Sequence, residues 1–143
     1  MSGKLDIETR EFSIDDYEAT IELWKKVEGL DIAEGDDRET VRRFLKRNPG
    51  LSRIAVIGSN IVGAVLCGHD GRRGYIYHLA VDPAHQNLGI GRRLAAECRE
   101  GLKSVGVERV NLLVSADNSN GRDFWKQCGW EELDGAVAMG GDV

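Results

Sequence analysis

Two closely spaced glycines open the segment whose residue types point most directly to chemistry. Gly89 and Gly91 follow Pro83, which ends an apolar strand-like run, and they precede a long amphipathic segment. Glycine has no Cβ, so backbone N–H groups can close around phosphate oxygens. The unpaired N–H groups of a helix's first turn, with the helix dipole, favour negative charge at the same place. Arg92 and Arg93 add positive charge. The pattern predicts an anion-binding turn.

Other glycine-rich phosphate loops fit this segment less well. A dinucleotide-binding fingerprint requires GxGxxG directly after the first strand, whereas position 94 is Leu94 and the preceding strand is the fourth. A Walker loop requires Gly-Lys-Ser/Thr, which the sequence lacks. A purely structural role, in which the two glycines allow a tight turn from strand to helix, would also explain their spacing. Gln86, three residues before Gly89, favours a more specific interpretation.

The segment Gln86-Asn-Leu-Gly-Ile-Gly91 resembles the Q/R-x-x-G-x-G/A signature of the GNAT superfamily of N-acetyltransferases. A second motif, Asn118, Phe124-Trp125 and Gly129-Trp130, resembles that family's Asn…Phe-Tyr…Gly-Phe pattern. The turn of residues 70–74 looks like that of small bacterial members. The resemblance covers the whole chain, and it implies one N-acetyltransferase domain over residues 1–143. The implied co-substrate is acetyl-CoA.

The resemblance also implies where acetyl-CoA binds. Backbone groups of Leu79, Ala80 and Val81 would pair with the pantetheine arm as an added strand would. Asn118 would meet the pantetheine, and Trp125 would line the site. Because most contacts would come from the main chain, the side chains of Asn87, Leu88 and Ile90 are expected to be loosely constrained. The residues expected to wrap the pyrophosphate are Gln86, Asn87, Leu88, Gly89, Ile90, Gly91 and Arg92.

The catalytic groups are harder to place. Acetyl transfer to an amine needs a route for the amine proton and an acid for the departing thiolate. Trp125 stands where many family members have a tyrosine acid, and an indole does not give up its proton at physiological pH. Leu113 stands where ribosomal-protein-type members carry a glutamate. Neither position therefore offers the group that the resemblance would supply.

Three candidates remain on the fourth strand. Tyr77 is the first choice for an acid or orienting group, and Tyr75 is the next; alternation places both on one face and His78 on the other. A histidine ring can accept a proton near neutral pH. Ordinary strand aromatics, and a histidine bonded to a backbone carbonyl, are the structural alternatives.

The sequence contains two charge patterns that suggest different acceptors, and it does not decide between them. Residues 28–39 hold six carboxylates, which would attract a cationic amine such as a polyamine, an aminoglycoside or a basic peptide end if they wall the site. A solvated loop is the favoured explanation of such a run, because charge runs generally lie at the surface. Arg72 and Arg73 instead suggest an acceptor that carries a carboxylate. Trp24 is predicted to lie in the core.

Hydrophobic periodicity predicts one α/β domain with a mixed, mostly antiparallel sheet flanked by helices. Its order is β-α-α-β-β-β-α-β-α-β. The run Val110 to Ser115 is typical of a strand buried on both faces, and the last strand is weak. The predicted strands are Leu5–Phe12, Ser52–Ile57, Ile61–Cys67, Tyr75–Val81, Val110–Ser115 and Glu131–Met139. The predicted helices run from Ser13 to about Glu28, Arg38 to Arg47, Gly89 to about Ser104, and Asn120 to Gln127.

Composition narrows the function classes. The net charge of −5 argues against bulk nucleic-acid binding. The apolar runs are too short to span a membrane, and no signal peptide precedes them, so a cytoplasmic protein is expected. Three scattered cysteines predict neither a metal site nor a disulfide framework.

A small-molecule or peptide amine remains as the expected partner, and a homodimer stays open. The rival functions are a non-catalytic acyl-CoA-binding or regulatory module and a protein N-terminal acetyltransferase.

Overall fold

The computed structural model describes residues 6–143 and builds one five-stranded sheet with the strand order β1-β2-β3-β4-β5. Neighbouring strands are antiparallel from β1 to β4, and β5 pairs with β4 in parallel. The predicted mixed, mostly antiparallel sheet flanked by helices is confirmed. The strands are β1 Glu8–Glu11, β2 Arg53–Ile57, β3 Asn60–His69, β4 Gly74–Val81 and β5 Val110–Leu112. The helices are α1 Tyr17–Lys26, α2 Arg38–Arg47, α3 Ile90–Ser104 and α4 Ser119–Gln127, with 3₁₀ turns at Ile14–Asp16 and Pro83–His85.

The chain divides into two compact units, and the sheet lies in the first, which ends at Leu112. Helices α1 and α2 pack on one face of this sheet through Trp24, Val41 and their neighbours. Helix α3 covers the other face, where a Cβ built on Gly63 would lie 2.9 Å from Ile90 Cγ2 and 3.1 Å from Leu94 Cδ1. The absent side chain of Gly63 therefore lets α3 approach β3 closely.

The helix starts follow the sequence signals. Ser13 and Asp16 form a capping box, in which each side chain accepts a hydrogen bond from the backbone near the other. The first turn after Ser13 is 3₁₀, so α1 begins at Tyr17, and it ends at Lys26 because Val27 takes an extended conformation. Helix α2 has the predicted bounds, with Asp37 as its N-cap.

Two strand predictions are wrong. The fifth strand stops at Leu112 instead of Ser115 and is only half-buried, because it pairs with β4 alone and so forms an edge of the sheet. Leu113, just beyond it, is 82% exposed. The strand predicted at Glu131–Met139 is absent from residues 6–143, because Asp134 and Gly135 form a turn within it. Leu5, the predicted start of the first strand, lies outside the described residues.

The second unit, Leu113–Val143, is built around α4. Asn118 Oδ1 caps this helix by accepting from Gly121 N at 3.0 Å. Arg122 forms a bidentate pair with Glu132 at 2.8 and 3.2 Å, and Lys126 contacts the same carboxylate. These two cations hold the pKa of Glu132 low, at about 2. The ion pairs join the end of α4 to the segment that follows it.

Candidate active site

A β-bulge interrupts β4 in the middle of the residues predicted to carry catalysis. Tyr77 pairs with Leu66 and Ala80 pairs with Ala64, so His78 and Leu79 together oppose a single residue of β3. His78 adopts a φ of 51°, a left-handed conformation that is uncommon for a residue with a Cβ. A bulge leaves the extra residue outside the hydrogen-bond ladder and re-aims the side chains around it.

The bulge directs two consecutive aromatic rings to the same face of the sheet. Tyr77 packs edge-on against Phe44 of α2 with ring centroids 6.1 Å apart, and His78 packs against Trp24 of α1 at 4.8 Å. Both helices lie on one face of the sheet. The prediction that His78 faces away from Tyr77 is therefore wrong, since strict alternation does not continue through a bulge. Tyr75 does share the face of Tyr77, as predicted, with the rings stacked at 6.1 Å.

His78 is bonded to a buried carboxylate from the acidic stretch. Its Nε2 lies 2.8 Å from Asp36 Oδ2, and the same oxygen accepts from Ala33 N at 3.0 Å. The Tyr17 hydroxyl donates to the backbone oxygen of Asp36 at 2.6 Å. The Asp36 side chain is only 11% exposed, and that of His78 is 23% exposed. Sequence reasoning missed this pair, because 42 residues separate its members and no local spacing connects them.

The other acidic residues in this stretch divide into structural and exposed groups. Asp37 accepts from Thr40 N at 3.1 Å as the cap of α2, and its hydrogen bonds to Thr40 lower the pKa of this carboxyl. Glu39 pairs with Arg42 along the same helix. Asp31 and Glu34 are exposed. The solvated-loop interpretation therefore fits Asp31 and Glu34 but is wrong for Asp36.

Tyr77 is the best-placed proton donor on this face. Its side chain is partly buried, and this burial, with Tyr75 beside it, raises the pKa of the Tyr77 phenol above its usual value. The hydroxyl therefore keeps its proton at neutral pH. Tyr77 and His78 thus offer a donor and an acceptor on neighbouring residues of one strand.

The second half of β4 presents an open edge. β5 pairs with β4 only at Gly74, Tyr75 and Ile76. Beyond that point Ala80 and Val81 pair with β3 on one side, and no strand within residues 6–143 pairs with them on the other. An exposed strand edge is a template for an extended ligand.

The turn after β4 forms a cradle, defined here as residues Gln86–Arg92. Asn87 and Gly89 adopt left-handed φ values of 66° and 81°. Gln86 Nε2 donates back to Val81 O at 3.3 Å. Gly89 is the N-cap of α3, and no side chain caps the helix there. Left-handed residues alternating with others in front of a helix N-terminus aim backbone N–H groups into one concavity, which suits an anion.

The cradle differs from the sequence-based expectation at two positions. Ile90 is only 2% exposed and packs in the core under α3, so its side chain is not loosely constrained. Arg93 donates to Ile7 O at 2.9 Å and to Thr9 Oγ1 of β1 at 3.3 Å, which joins α3 to the N-terminal segment and to β1. Its guanidinium therefore stabilises the fold instead of adding charge to the cradle. Asn87, Leu88 and Arg92 are exposed.

The two predicted site residues of the second unit have local partners. The Asn118 side-chain oxygen is engaged as the cap of α4, which leaves its amide nitrogen for any ligand. The Trp125 ring packs edge-on between Phe124 and Trp130, with centroids 5.1 Å away in both cases. Trp125 is thus part of a small aromatic cluster inside this unit.

Across the described part of the chain, no group of His, Cys, Asp or Glu residues is arranged to hold a metal ion. No helix within residues 6–143 has both the length and the apolar surface that crossing a membrane requires. Cys67 and Cys98 are free thiols in the core.

Comparison with known proteins agrees with this geometry. The family model described as the acetyltransferase (GNAT) family matches residues 11–130. An acetyltransferase of Pectobacterium atrosepticum is 32% identical over 90% of both chains, and one of Sodalis glossinidius is 30% identical over 94% of both. The PaiA N-acetyltransferase of Thermoplasma acidophilum, solved with coenzyme A, has the same fold, with a TM-score of 0.79 at 23% identity over 92% of this chain and 94% of that one. The chain belongs to the acetyltransferase (GNAT) family.

Proposed function

We propose that this protein is an acetyl-CoA-dependent N-acetyltransferase that acts on the amine of a small molecule or peptide. The observation that carries the proposal is the cradle at the N-terminus of α3, placed directly after the open edge of β4. One feature suits an anion and the other suits an extended chain. A pyrophosphate joined to a pantetheine arm combines both in one ligand.

The residues present fit acetyl-CoA. Gly89 caps α3 without a side chain, and a Cβ built there would meet nothing within 4 Å, so the space beside this N-cap is open. Gln86 to Arg92 would hold the pyrophosphate, and the backbone of Leu79, Ala80 and Val81 would hold the pantetheine arm. The coenzyme A complex of the Thermoplasma acidophilum neighbour supports this assignment. Acetyl-CoA supplies an acetyl group activated as a thioester.

The face that carries Tyr77 and His78 is where the chemistry would take place. His78 is the acceptor for the amine proton, since an attacking amine must lose one. Tyr77 is a donor held in its protonated form, and Tyr75 stacks beside it to keep its ring in place. For Asn118 and Trp125, a contact with acetyl-CoA remains a proposal.

A non-catalytic acyl-CoA-binding module is the second candidate, and Trp125 favours it because this residue replaces the tyrosine of the family pattern. The two candidates differ in turnover. We expect thiol release from acetyl-CoA with at least one of four amines: spermidine, kanamycin, lysine and the peptide Ala-Arg-Tyr-Phe. Mass spectrometry should find a product heavier by one acetyl group.

The outcomes separate the candidates. Acetyl-CoA binding by calorimetry without thiol release from any amine would support the binding module. Release with the peptide alone, with the acetyl group on its α-amine, would instead support a protein N-terminal acetyltransferase.

A further inference from the structure

A histidine and an aspartate from distant parts of the sequence meet at the β4 bulge. Asp36 Oδ2 lies 2.8 Å from His78 Nε2. An ionised carboxylate only accepts hydrogen bonds, so the ring nitrogen that faces it must carry the hydrogen. In the neutral ring the other nitrogen, Nδ1, then holds the lone pair. The geometry thus selects one tautomer of His78.

Asp36 is itself held in place. Ala33 N donates to its Oδ2 at 3.0 Å, Asp36 N donates to Ala33 O at 3.1 Å, and the Tyr17 hydroxyl holds its carbonyl. The carboxylate is therefore fixed by the loop and by α1 before any ligand arrives. A buried carboxylate whose hydrogen bonds are directed in this way restricts the rotation of the ring it faces.

Packing restricts the His78 ring further. The Trp24 indole, which is fully buried, lies against it with centroids 4.8 Å apart and a 55° angle between the planes. The bulge supplies the third constraint, since the φ of 51° fixes the direction in which the side chain leaves the strand. Three independent elements, namely the loop, α1 and β4, thus hold one ring.

We propose that Asp36 is a positioning residue that keeps His78 in its Nε2–H tautomer, so that His78 Nδ1 is the base that accepts the proton of the acceptor amine. This inference rests on the proposed function. The amine nitrogen forms a bond to the acetyl carbon as the carbon–sulfur bond breaks. One amine proton passes to Nδ1, and the thiolate takes a proton from a donor, for which Tyr77 is the candidate. Atoms and charge then balance, and no further reactant is needed.

The charged groups around this pair are few. Among the described residues, Asp36 is the titratable group that contacts the His78 ring. Tyr17 on α1 touches Asp36, and Asp37 follows it in the loop. Tyr77 precedes His78 on β4, and Lys26 of α1 pairs with Asp82 after the strand at 3.5 Å. Within residues 6–143 no lysine or arginine pairs with Asp36. Its carboxylate is therefore bonded to His78 and to the loop backbone.

The direct test reads the tautomer without any ligand. Nitrogen-15 NMR of the free protein distinguishes Nε2–H from Nδ1–H in a neutral imidazole. The His78 signal is identified as the one lost in His78→Gln, which separates it from the signals of His69 and His85. We expect Nε2–H in the native protein, a mixture in Asp36→Ala, and retention in Asp36→Asn, whose amide oxygen can still accept. Glu34→Gln removes an exposed charge from the same loop and should leave the tautomer unchanged.

The kinetic test uses the fastest of the four amines above. We expect His78→Gln to lower kcat at least 100-fold, Asp36→Ala about tenfold and Asp36→Asn less, because a positioned base contributes about 10²–10⁴-fold. Glu100→Gln, which removes an exposed charge from α3 outside the candidate site, should stay within twofold. The acetyl-CoA Kd should stay within about twofold throughout.

Any one of three results would overturn the proposal. The first is a native protein whose His78 carries its hydrogen on Nδ1, and the second is an Asp36→Ala variant with the native tautomer. The third is a His78→Gln variant that turns over within threefold of the native enzyme. Dispersed amide spectra show whether Asp36→Ala is folded, and Asp36→Asn supplies the comparison if it is not. A protein that fails to bind acetyl-CoA contradicts the proposed function instead, while the tautomer still decides the role of Asp36.

Discussion

Tyr77 and His78 are consecutive residues of β4, yet their rings contact two helices on the same face of the sheet. In a regular strand, neighbouring side chains point to opposite faces. The extra residue of the bulge removes that alternation and places a phenol and an imidazole on one face of the sheet. The same bulge begins the open edge of β4.

Replacing Trp125 tests whether the indole takes part in the reaction. If it only lines the site, Trp125→Phe should keep kcat within about tenfold of the native value, which is under ~1.4 kcal/mol of barrier. Trp125→Tyr restores the residue of the family pattern and should match or exceed the native kcat. Trp130→Phe changes the same aromatic cluster next to it and is the matched control. A loss of several hundredfold in Trp125→Phe, with folding and acetyl-CoA affinity intact, would show that the indole itself participates.

The exposed acidic residues test the charge of the acceptor. Asp36 and Asp37 have structural partners, so only Asp31 and Glu34 should be neutralised together, to Asn and Gln. If they attract a cationic acceptor, the KM for spermidine should rise, and the effect should shrink with added salt because screening at ~0.15 M acts over about 8 Å. The KM for acetyl-CoA should not change.

A control variant removes two negative charges outside this loop. Glu100 and Glu108 are exposed outside this loop, and their double Gln variant should leave the spermidine KM unaltered. If the loop variant behaves like this control, or if a carboxylate-bearing amine is the preferred acceptor, the loop is only solvated surface. Arg72 and Arg73 then become the candidates for acceptor recognition.

The ion pair of Arg10 with Asp16 tests how the N-terminal segment is stabilised. Arg10 donates to both Asp16 oxygens at 2.9 Å, and Ser13 N donates to one of them. Burial acts to raise the pKa of Asp16, but these hydrogen bonds outweigh it and lower this pKa below its usual value. A lowered pKa in the folded state gives stability that is present above the unfolded value, ~3.9, and is lost as the pH falls through the folded value.

We therefore expect Asp16→Asn to lower the free energy of unfolding by about 1–2 kcal/mol at pH 7. The difference should shrink as the pH falls from 7 to about 3, below the unfolded value of ~3.9, because the native carboxyl then begins to take up its proton. Urea denaturation at both pH values measures this. Glu18→Gln breaks an exposed pair with Arg38 and should cost less than ~0.5 kcal/mol. An equal loss at both pH values would contradict the assignment.

Local signals predicted the elements that depend on neighbouring residues. Helix α2 has the predicted bounds because Asp37 caps it and Asn48-Pro49-Gly50 ends it. The cradle was predicted because glycine spacing is visible in sequence. The bulge was not, since it arises from a register mismatch between β3 and β4.

The pairing of Asp36 with His78 depends on that bulge and on the fold of the loop, so periodicity cannot reveal it. The strand predicted at Glu131–Met139 failed for a related reason, because a strand requires a partner. Apolar residues around Gly135 indicate only the propensity to form one.

The central claim is that the cradle binds the pyrophosphate of acetyl-CoA. Two substitutions of Gly89 that match in size and shape test it. Gly89 has a φ of 81°, which Asn and Asp tolerate better than other residues with a side chain. Gly89→Asp and Gly89→Asn differ only in charge, so any strain should be common to both. Calorimetry with acetyl-CoA should give a Kd at least tenfold weaker for Asp than for Asn, a gap that narrows at high salt. Equal affinities for the two variants and the native protein would contradict a pyrophosphate site at the N-terminus of α3.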